Sequence, residues 1–153
     1  MNREIKFRGI SIDEWVYGML CKVNEGDTEH GEPIKYKIQT DEKEYGEYVK
    51  YFITDENTIG QYTGLHDKNG KEIYEGDVIE FSYDVFTGNF DTKVGRGTIE
   101  FIDGAFYIKP FEIEGKKIKD IDNEEWFLLY TVNIDTLEVI GNVHENLELL
   151  GGE

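Results

Sequence analysis

The sequence predicts a mostly β protein, built from short strands and tight hairpins with little helix. Apolar and polar residues alternate with a period of two in stretch after stretch, the pattern of a half-buried strand. Aromatic residues reach 14% of the 153 residues and 17 are Gly against only 2 Pro, a composition suited to packed strands and turns. Asn-Gly and Asp-Gly pairs stand between the alternating runs, where such pairs close hairpins.

The first strand is read from "REIKFRG", where Ile5 and Phe7 share a face opposite Glu4, Lys6 and Arg8. "WVYGMLCKV" lines up Trp15, Tyr17, Met19 and Cys21, and "IKYKIQ" alternates Ile34, Tyr36 and Ile38 with Lys35, Lys37 and Gln39. The acidic stretch at 24–32 reads as a solvated loop. "DEKEYGEYVKYF" (41–52) is expected to hold one or two helical turns, limited by Gly46. Further strands are read at "DVIEFSYDVF", "RGTIEFI" and "GAFYIKPF", the last two joined by the Asp103-Gly104 corner. The polar run at 114–125 forms a longer excursion. "EEWFLLYTVNI" and "LEVIGNV" flank Asp135-Thr136 as an expected hairpin, and "HENLELL" closes with a helical turn. A lobe boundary near residue 58 gives an N-terminal β-rich lobe at 1–58 and a second lobe at 59–153, packed together as one unit.

The loop "GLHDKNGKEIYEGDVIEF" (64–81) raises a question of chemistry. A phosphate-binding loop needs four residues between its glycines, then Lys and a hydroxyl residue at a helix start. Here five residues separate Gly64 from Gly70, Lys71 precedes Glu72, and a strand follows. A calcium loop beginning at Asp67 and Asn69 needs Gly sixth and Glu twelfth, positions held by Glu72 and Val78. "DENTIG" from Asp55 places Gly60 sixth but Ile59 and His66 break it, and the run at Asp120 lacks the glycine. All three read as turns, with Asn69-Gly70 expected in a two-residue type I′ hairpin.

Other groupings also favour structure over catalysis. His30, His66 and His144 lack metal-ligand spacing, and Ser11 and Ser82 stand outside any nucleophile motif. Tyr45, Tyr48, Tyr51 and Phe52 beside Lys43 and Lys50 are weighed as a stacking platform for bases, with packing the favoured reading. Arg3, Lys6 and Arg8 form a small basic cluster, read as the polar face of the first strand. The single Cys21 forms no internal disulfide and is expected to be a small buried hydrophobe. No catalytic, cofactor-binding or metal residue is assigned, and no cofactor.

The balance of 33 acidic to 16 basic residues gives a net charge of −17, which repels phosphate backbones and anionic membranes. No secretion signal and no ~20-residue apolar span is read, so the expected location is the bacterial cytoplasm.

Three stretches, "REIKFRG…WVYG" (3–18), "TIGQYTGLHDKNGKEIYEGDVIEF" (58–81) and "EVIGNVHENLELL" (138–150), resemble in order the YopX family of small phage and prophage proteins. The resemblance implies a mostly β fold with an SH3-like barrel in the second half. It also implies carriage by temperate phages, and brings no established activity and no catalytic residues. The middle, 24–47, departs from the family's usual form. The expected function is a non-enzymatic interaction module whose protein partner carries a basic surface. The alternatives are an acidic nucleic-acid mimic blocking a DNA-binding host protein and, third, an enzyme using paired carboxylates. Direct nucleic-acid binding ranks last, and open strand edges make homo-oligomers an expectation to test.

Overall fold

In the computed structural model the described residues are 4–24, 34–44, 48–118 and 126–150. The readings made on Arg3, His30, Tyr45 and Asp120 fall outside them. Among the described residues strands dominate, and every helical element is a short 3₁₀ turn. The chain divides into two compact units, Met1–Tyr62 and Thr63–Glu153.

In the first unit β1 (Phe7–Ser11) and β2 (Glu14–Asn24) form a hairpin closed by Ile12 and Asp13, both at positive φ (48° and 66°). β3 (Ile34–Glu44) pairs with β2, and β4 (Tyr48–Thr54) pairs with β3, both antiparallel. The helical turns expected at 41–52 are therefore absent from its described part. Strand pairing wins because alternation there continues: Phe52 stands opposite Ile38, and Ile38 is fully buried. A register shift between Gln39 and Lys43 absorbs the irregular sequence before the turn.

After β4, Asp55 caps a 3₁₀ turn (Glu56–Thr58), its Oδ1 accepting the Asn57 N–H at 3.0 Å. The Asp55 N–H donates to Ile10 O at 3.0 Å and the Ile10 N–H to Thr58 Oγ1 at 2.8 Å. These bonds draw the ends of β1 and β4 together, so the sheet curls around Val16 and Ile38. β5 (Gly60–His66) begins in this unit, where Gly60 and Gln61 pair with β1.

In the second unit β6 (Glu72–Tyr74) folds back beside β5. β7 (Asp77–Phe86), β8 (Phe90–Ile102) and β9 (Ala105–Ile113) follow as an antiparallel meander. The Asp103-Gly104 corner joins β8 to β9 as read, with both residues at positive φ (50° and 86°). β10 (Lys116–Lys117) and β11 (Phe127–Leu128) both pair with β9, and β12 (Glu138–Asn142) pairs with β7. The principal order is β10-β9-β8-β7-β12. Ile73, Ile79, Phe81, Ile99, Ile108 and Leu137 fill the core, joined by Leu129 and Val132.

The hairpin expected at Asp135-Thr136 is not formed, since β11 and β12 pair with different strands. Between them lie two 3₁₀ turns, Leu129–Thr131 and Ile134–Thr136. Leu129, Val132 and Leu137 pull this segment into the core. Its polar groups are met by β7: the Ser82 N–H donates to Thr136 Oγ1 at 3.1 Å and the Asn133 N–H to Ser82 O at 3.0 Å. Burial and two long-range bonds outweigh a turn pair that lacks glycine. The chain closes in a 3₁₀ turn at Leu147–Leu150.

Candidate interaction surface

The loop that resembles a phosphate cradle is a structural clasp. Asp67 is only 7% exposed. Its Oδ1 accepts the N–H groups of Asn69 (2.8 Å) and Lys71 (2.9 Å), and its Oδ2 accepts the Val139 N–H of β12 (3.1 Å). The Gly70 N–H donates to Asp67 O at 2.9 Å and the Asp67 N–H to Lys71 O at 2.8 Å. Between Asp67 and Lys71 Gly70 alone has positive φ, at 82°. This is a type I turn followed by a left-handed glycine, so the expected two-residue type I′ turn is replaced. The carboxylate decides it, because holding both amides keeps Asn69 at negative φ.

Burial pushes the Asp67 carboxyl up, but bonds from the Lys71, Val139 and Asn69 amides outweigh that and hold its pKa below the ordinary aspartate range. Beside it Lys68 Nζ meets Glu138 Oε2 at 2.5 Å, which raises the Lys68 pKa. The next corner is similar: the buried Asp77 accepts the Tyr74 N–H at 2.8 Å, and the Gly76 N–H donates to Ile99 O at 2.9 Å. At the C-terminus Asn142 Oδ1 accepts the His144 and Glu145 N–H groups (2.9 and 3.0 Å). Polar residues in these motif stretches thus hold backbone.

The other sequence candidates are dispersed. His66 and His144 are exposed, and the described residues contain no cluster of His, Cys, Asp and Glu able to hold a metal ion. Ser11 is buried in β1, and the Ser82 hydroxyl bonds Thr136 Oγ1 at 2.8 Å. The stacking platform, weighed in the sequence against the favoured packing reading, is split by strand alternation. Tyr51 faces outward, while Phe52 turns inward under the Lys50 ammonium, 4.8 Å from its ring centre. Arg8 is buried and lies 4.5 Å from the Trp15 ring centre, and Lys6 lies 5.9 Å from that of Tyr17. Cys21 is half-buried on the same outward face, not in the core.

A groove of about 480 Å³ opens beside β8 and β9, with Thr98, Glu100, Lys109, Pro110, Val143 and Leu150 in its lining. Its charged groups engage one another. Lys109 Nζ lies 3.6 Å from Glu100 Oε1 and 5.1 Å from the Trp126 ring centre, and Thr98 Oγ1 donates to Glu100 at 3.4 Å. That arrangement supplies an apolar trough with an ion pair at its wall.

The most exposed aromatic feature lies elsewhere, on β7 and β8. β12 pairs with β7 only as far as Glu80, and β9 pairs with β8 only back to Gly95. Between those limits the two strands pair with each other alone among the described strands and run out as a ribbon. At its tip Phe86 stands opposite Phe90, rings 5.1 Å apart, and the two are 67% and 81% exposed. Asp84 lies on the same ribbon face as this pair and accepts the Thr92 hydroxyl at 2.7 Å, while Asp91 on the other face accepts that of Thr87 at 3.2 Å. Sequence alternation marks Asp84 and Phe86 as strand, opens the next strand only at Arg96, and gives no sign that the ribbon outruns its neighbours.

Fold and surface together define a β protein whose motif residues brace turns and whose aromatic tip faces solvent. The chain matches the family model described as "YopX protein" over residues 6–151, and so belongs to the YopX family. Among solved structures it is similar to protein EF1440 from Enterococcus faecalis, with 26% identity over 97% of this chain and 99% of that chain and a TM-score of 0.48. No curated protein matches it. Among the described residues no helix is long and apolar enough to cross a membrane.

Proposed function

We propose that this YopX-family chain is a non-enzymatic protein-interaction module of phage or prophage origin, working in the bacterial cytoplasm. Its second unit serves as an SH3-like barrel that carries the binding ribbon. The barrel reading draws support from the curled antiparallel meander and its tight Asp103-Gly104 corner. The interaction reading rests on one observation, the Phe86–Phe90 pair held in solvent at the end of a two-strand ribbon. Exposed aromatic side chains make strong anchors when a partner desolvates them. The acidic neighbourhood, Asp84 and Asp91 within a chain of net charge −17, selects a partner whose binding pocket is apolar with a basic rim.

The test is affinity capture from a bacterial lysate with the wild-type chain and the Phe86→Ser/Phe90→Ser variant side by side. A partner recovered at low salt by wild type, reduced at high salt and lost with the variant supports the reading. Equal recovery by both proteins, or no partner with either, overturns it.

A further inference from the structure

The ribbon has two open edges as well as an aromatic tip, and the pairing pattern shows which groups each edge offers. Val94 turns its N–H outward to Glu114 Oε1 at 2.7 Å and its carbonyl outward to the Glu114 N–H at 2.9 Å. Ser82, its register partner, likewise directs both groups away from β8, to Thr136 Oγ1 and the Asn133 N–H. In an antiparallel pair this outward set recurs at every second residue. Asp84 and Phe86 therefore point their N–H and C=O groups off the β7 edge, and Thr92 and Phe90 point theirs off the β8 edge. Among the described residues nothing bonds those backbone groups.

The β7 edge is complementary to itself in one register. Antiparallel pairing about a two-fold at Val85 sets Asp84 against Phe86 of a second copy, and Phe86 against its Asp84. Each couple exchanges both backbone bonds, so all the free groups of that edge are used. Val85 then faces Val85, and each Asp84 stands opposite a phenylalanine rather than another carboxylate. The two Phe86 residues lie diagonally across the new strand pair, about 7–8 Å apart and within reach of each other's rings. The Phe86–Phe90 pairs of both copies thereby merge into one aromatic cluster. Because the overlapping tips run in opposite directions, the remainder of each second unit lies at opposite ends of the joined ribbon.

Other registers fail. Moving the two-fold toward the base of β7 calls on Ser82, already bonded to Thr136 and Asn133, and moving it toward the tip calls on Gly88 in the loop. On β8 a two-fold at Asp91 opposes that carboxylate to its own copy, and one at Thr92 needs Val94, already held by Glu114. The open stretch Asp84–Phe86 also carries none of the Lys, Pro or bulge devices that guard an edge, and its one charge is bonded to Thr92.

We propose that the β7 edge of the ribbon pairs with the β7 edge of a second copy of this chain, joining two ribbons into one four-stranded antiparallel sheet. The contact is isologous and closes as a dimer. It goes beyond the docking reading, since it uses the strand edge and leaves the merged rings on one face of the sheet, open to a further partner. A contact this small is weak and transient. Both copies carry a net charge of −17, so salt that screens their repulsion tightens the dimer, opposite to its effect on a partner with a basic rim.

Sedimentation velocity on the full chain, at concentrations up to about 1 mM, should show a monomer–dimer equilibrium and nothing larger. The dimer should be tighter at about 1 M salt, where the Debye length is about 3 Å, than at about 0.1 M, where it is about 10 Å. Asp84→Pro removes an outward N–H from the β7 edge and Thr92→Pro removes one from the β8 edge, and each breaks the same Asp84–Thr92 side-chain bond. Circular dichroism checks that both keep the fold. Asp84→Pro loses two intermolecular bonds per dimer and should weaken association about tenfold or more, while Thr92→Pro should leave it within about twofold of wild type. A second test needs no proline. In a Cys21→Ser background, Val85→Cys should cross-link two chains through a disulfide when treated with oxidised glutathione, because facing Cα atoms in such a pair lie about 4.5 Å apart. Asp91→Cys on β8 is the slower control. A wild type that stays monomeric at both salts, an Asp84→Pro variant that dimerises like wild type, or equal cross-linking at 85 and 91 overturns the proposal. If wild type is monomeric and captures a partner that Asp84→Pro loses and Thr92→Pro keeps, the edge belongs to a foreign strand. A monomer that still captures a partner through its rings refutes the dimer and leaves the docking tip standing, and a dimer that captures nothing does the reverse.

Discussion

The Asp67 carboxylate reaches 72 positions along the chain to hold Val139, accepting its backbone N–H at 3.1 Å while its other oxygen closes the Asp67–Lys71 turn. One side chain therefore fixes both a turn and the strand that borders it. Replacing Asp67 with Ala strands three amides and should cost about 3 kcal/mol of unfolding free energy, read from urea denaturation. The pH dependence follows from the lowered pKa. The contribution is complete above the unfolded-state value of about 3.9 and disappears as pH falls through the still lower folded-state value. As pH falls below about 4, urea midpoints should thus drop more steeply for wild type than for Asp67→Asn, which has no carboxyl to titrate. Parallel curves for the two proteins would show that the carboxylate is not the linked group.

Close packing of β8 against β9 makes a second prediction. A Cβ built on Gly97 would lie 2.6 Å from Lys109 O and 2.7 Å from Ile108 Cγ2, at the register shift between Arg96 and Gly97. One of those contacts is backbone in a paired strand, so rotamer adjustment cannot relieve it. Gly97→Ala should destabilise the protein by about 1–3 kcal/mol, measured by thermal or urea unfolding. Unchanged stability would mean that the strands separate there more freely than their pairing indicates.

The segment between β11 and β12 tests whether irregular backbone can be integral to a core. Leu137 is fully buried, and its carbonyl accepts the Lys68 N–H at 2.8 Å, whereas Tyr130 in the same segment is largely exposed. Leu137→Ala should cost about 2–5 kcal/mol. Tyr130→Ser should stay within about 0.5 kcal/mol of wild type. Similar losses for the two would contradict the burial pattern.

These residues also show where the sequence is legible. Asp103-Gly104 is read correctly because its turn needs only its own two residues at positive φ. Asn69-Gly70 is recognised as a turn but given the wrong type, since Asp67 acts through a third side chain and a distant strand. Asp135-Thr136 is misread as a hairpin for the same reason: Thr136 answers to Ser82, 54 positions earlier. Alternation locates β2 and β3, while β4 lies where helical turns are expected, and only register brings Met19 level with Tyr51 across β3. The ribbon tip is the least legible feature, because exposure there depends on where β9 and β12 stop pairing rather than on any residue of β7 or β8.

That tip makes the last prediction, one in which stability and function part. Phe86 and Phe90 touch each other more than the core, so deleting both rings removes little buried area. Phe86→Ser/Phe90→Ser should leave the unfolding free energy within about 0.5 kcal/mol of wild type. The ribbon keeps its Asp84–Thr92 and Thr87–Asp91 bonds, so its hydrogen-exchange protection should change little near Thr92. What should change is binding of a hydrophobic surface dye, which falls when the pair is removed. A marked loss of stability would instead place the rings in the packed interior, and the argument for a docking tip would fail with it.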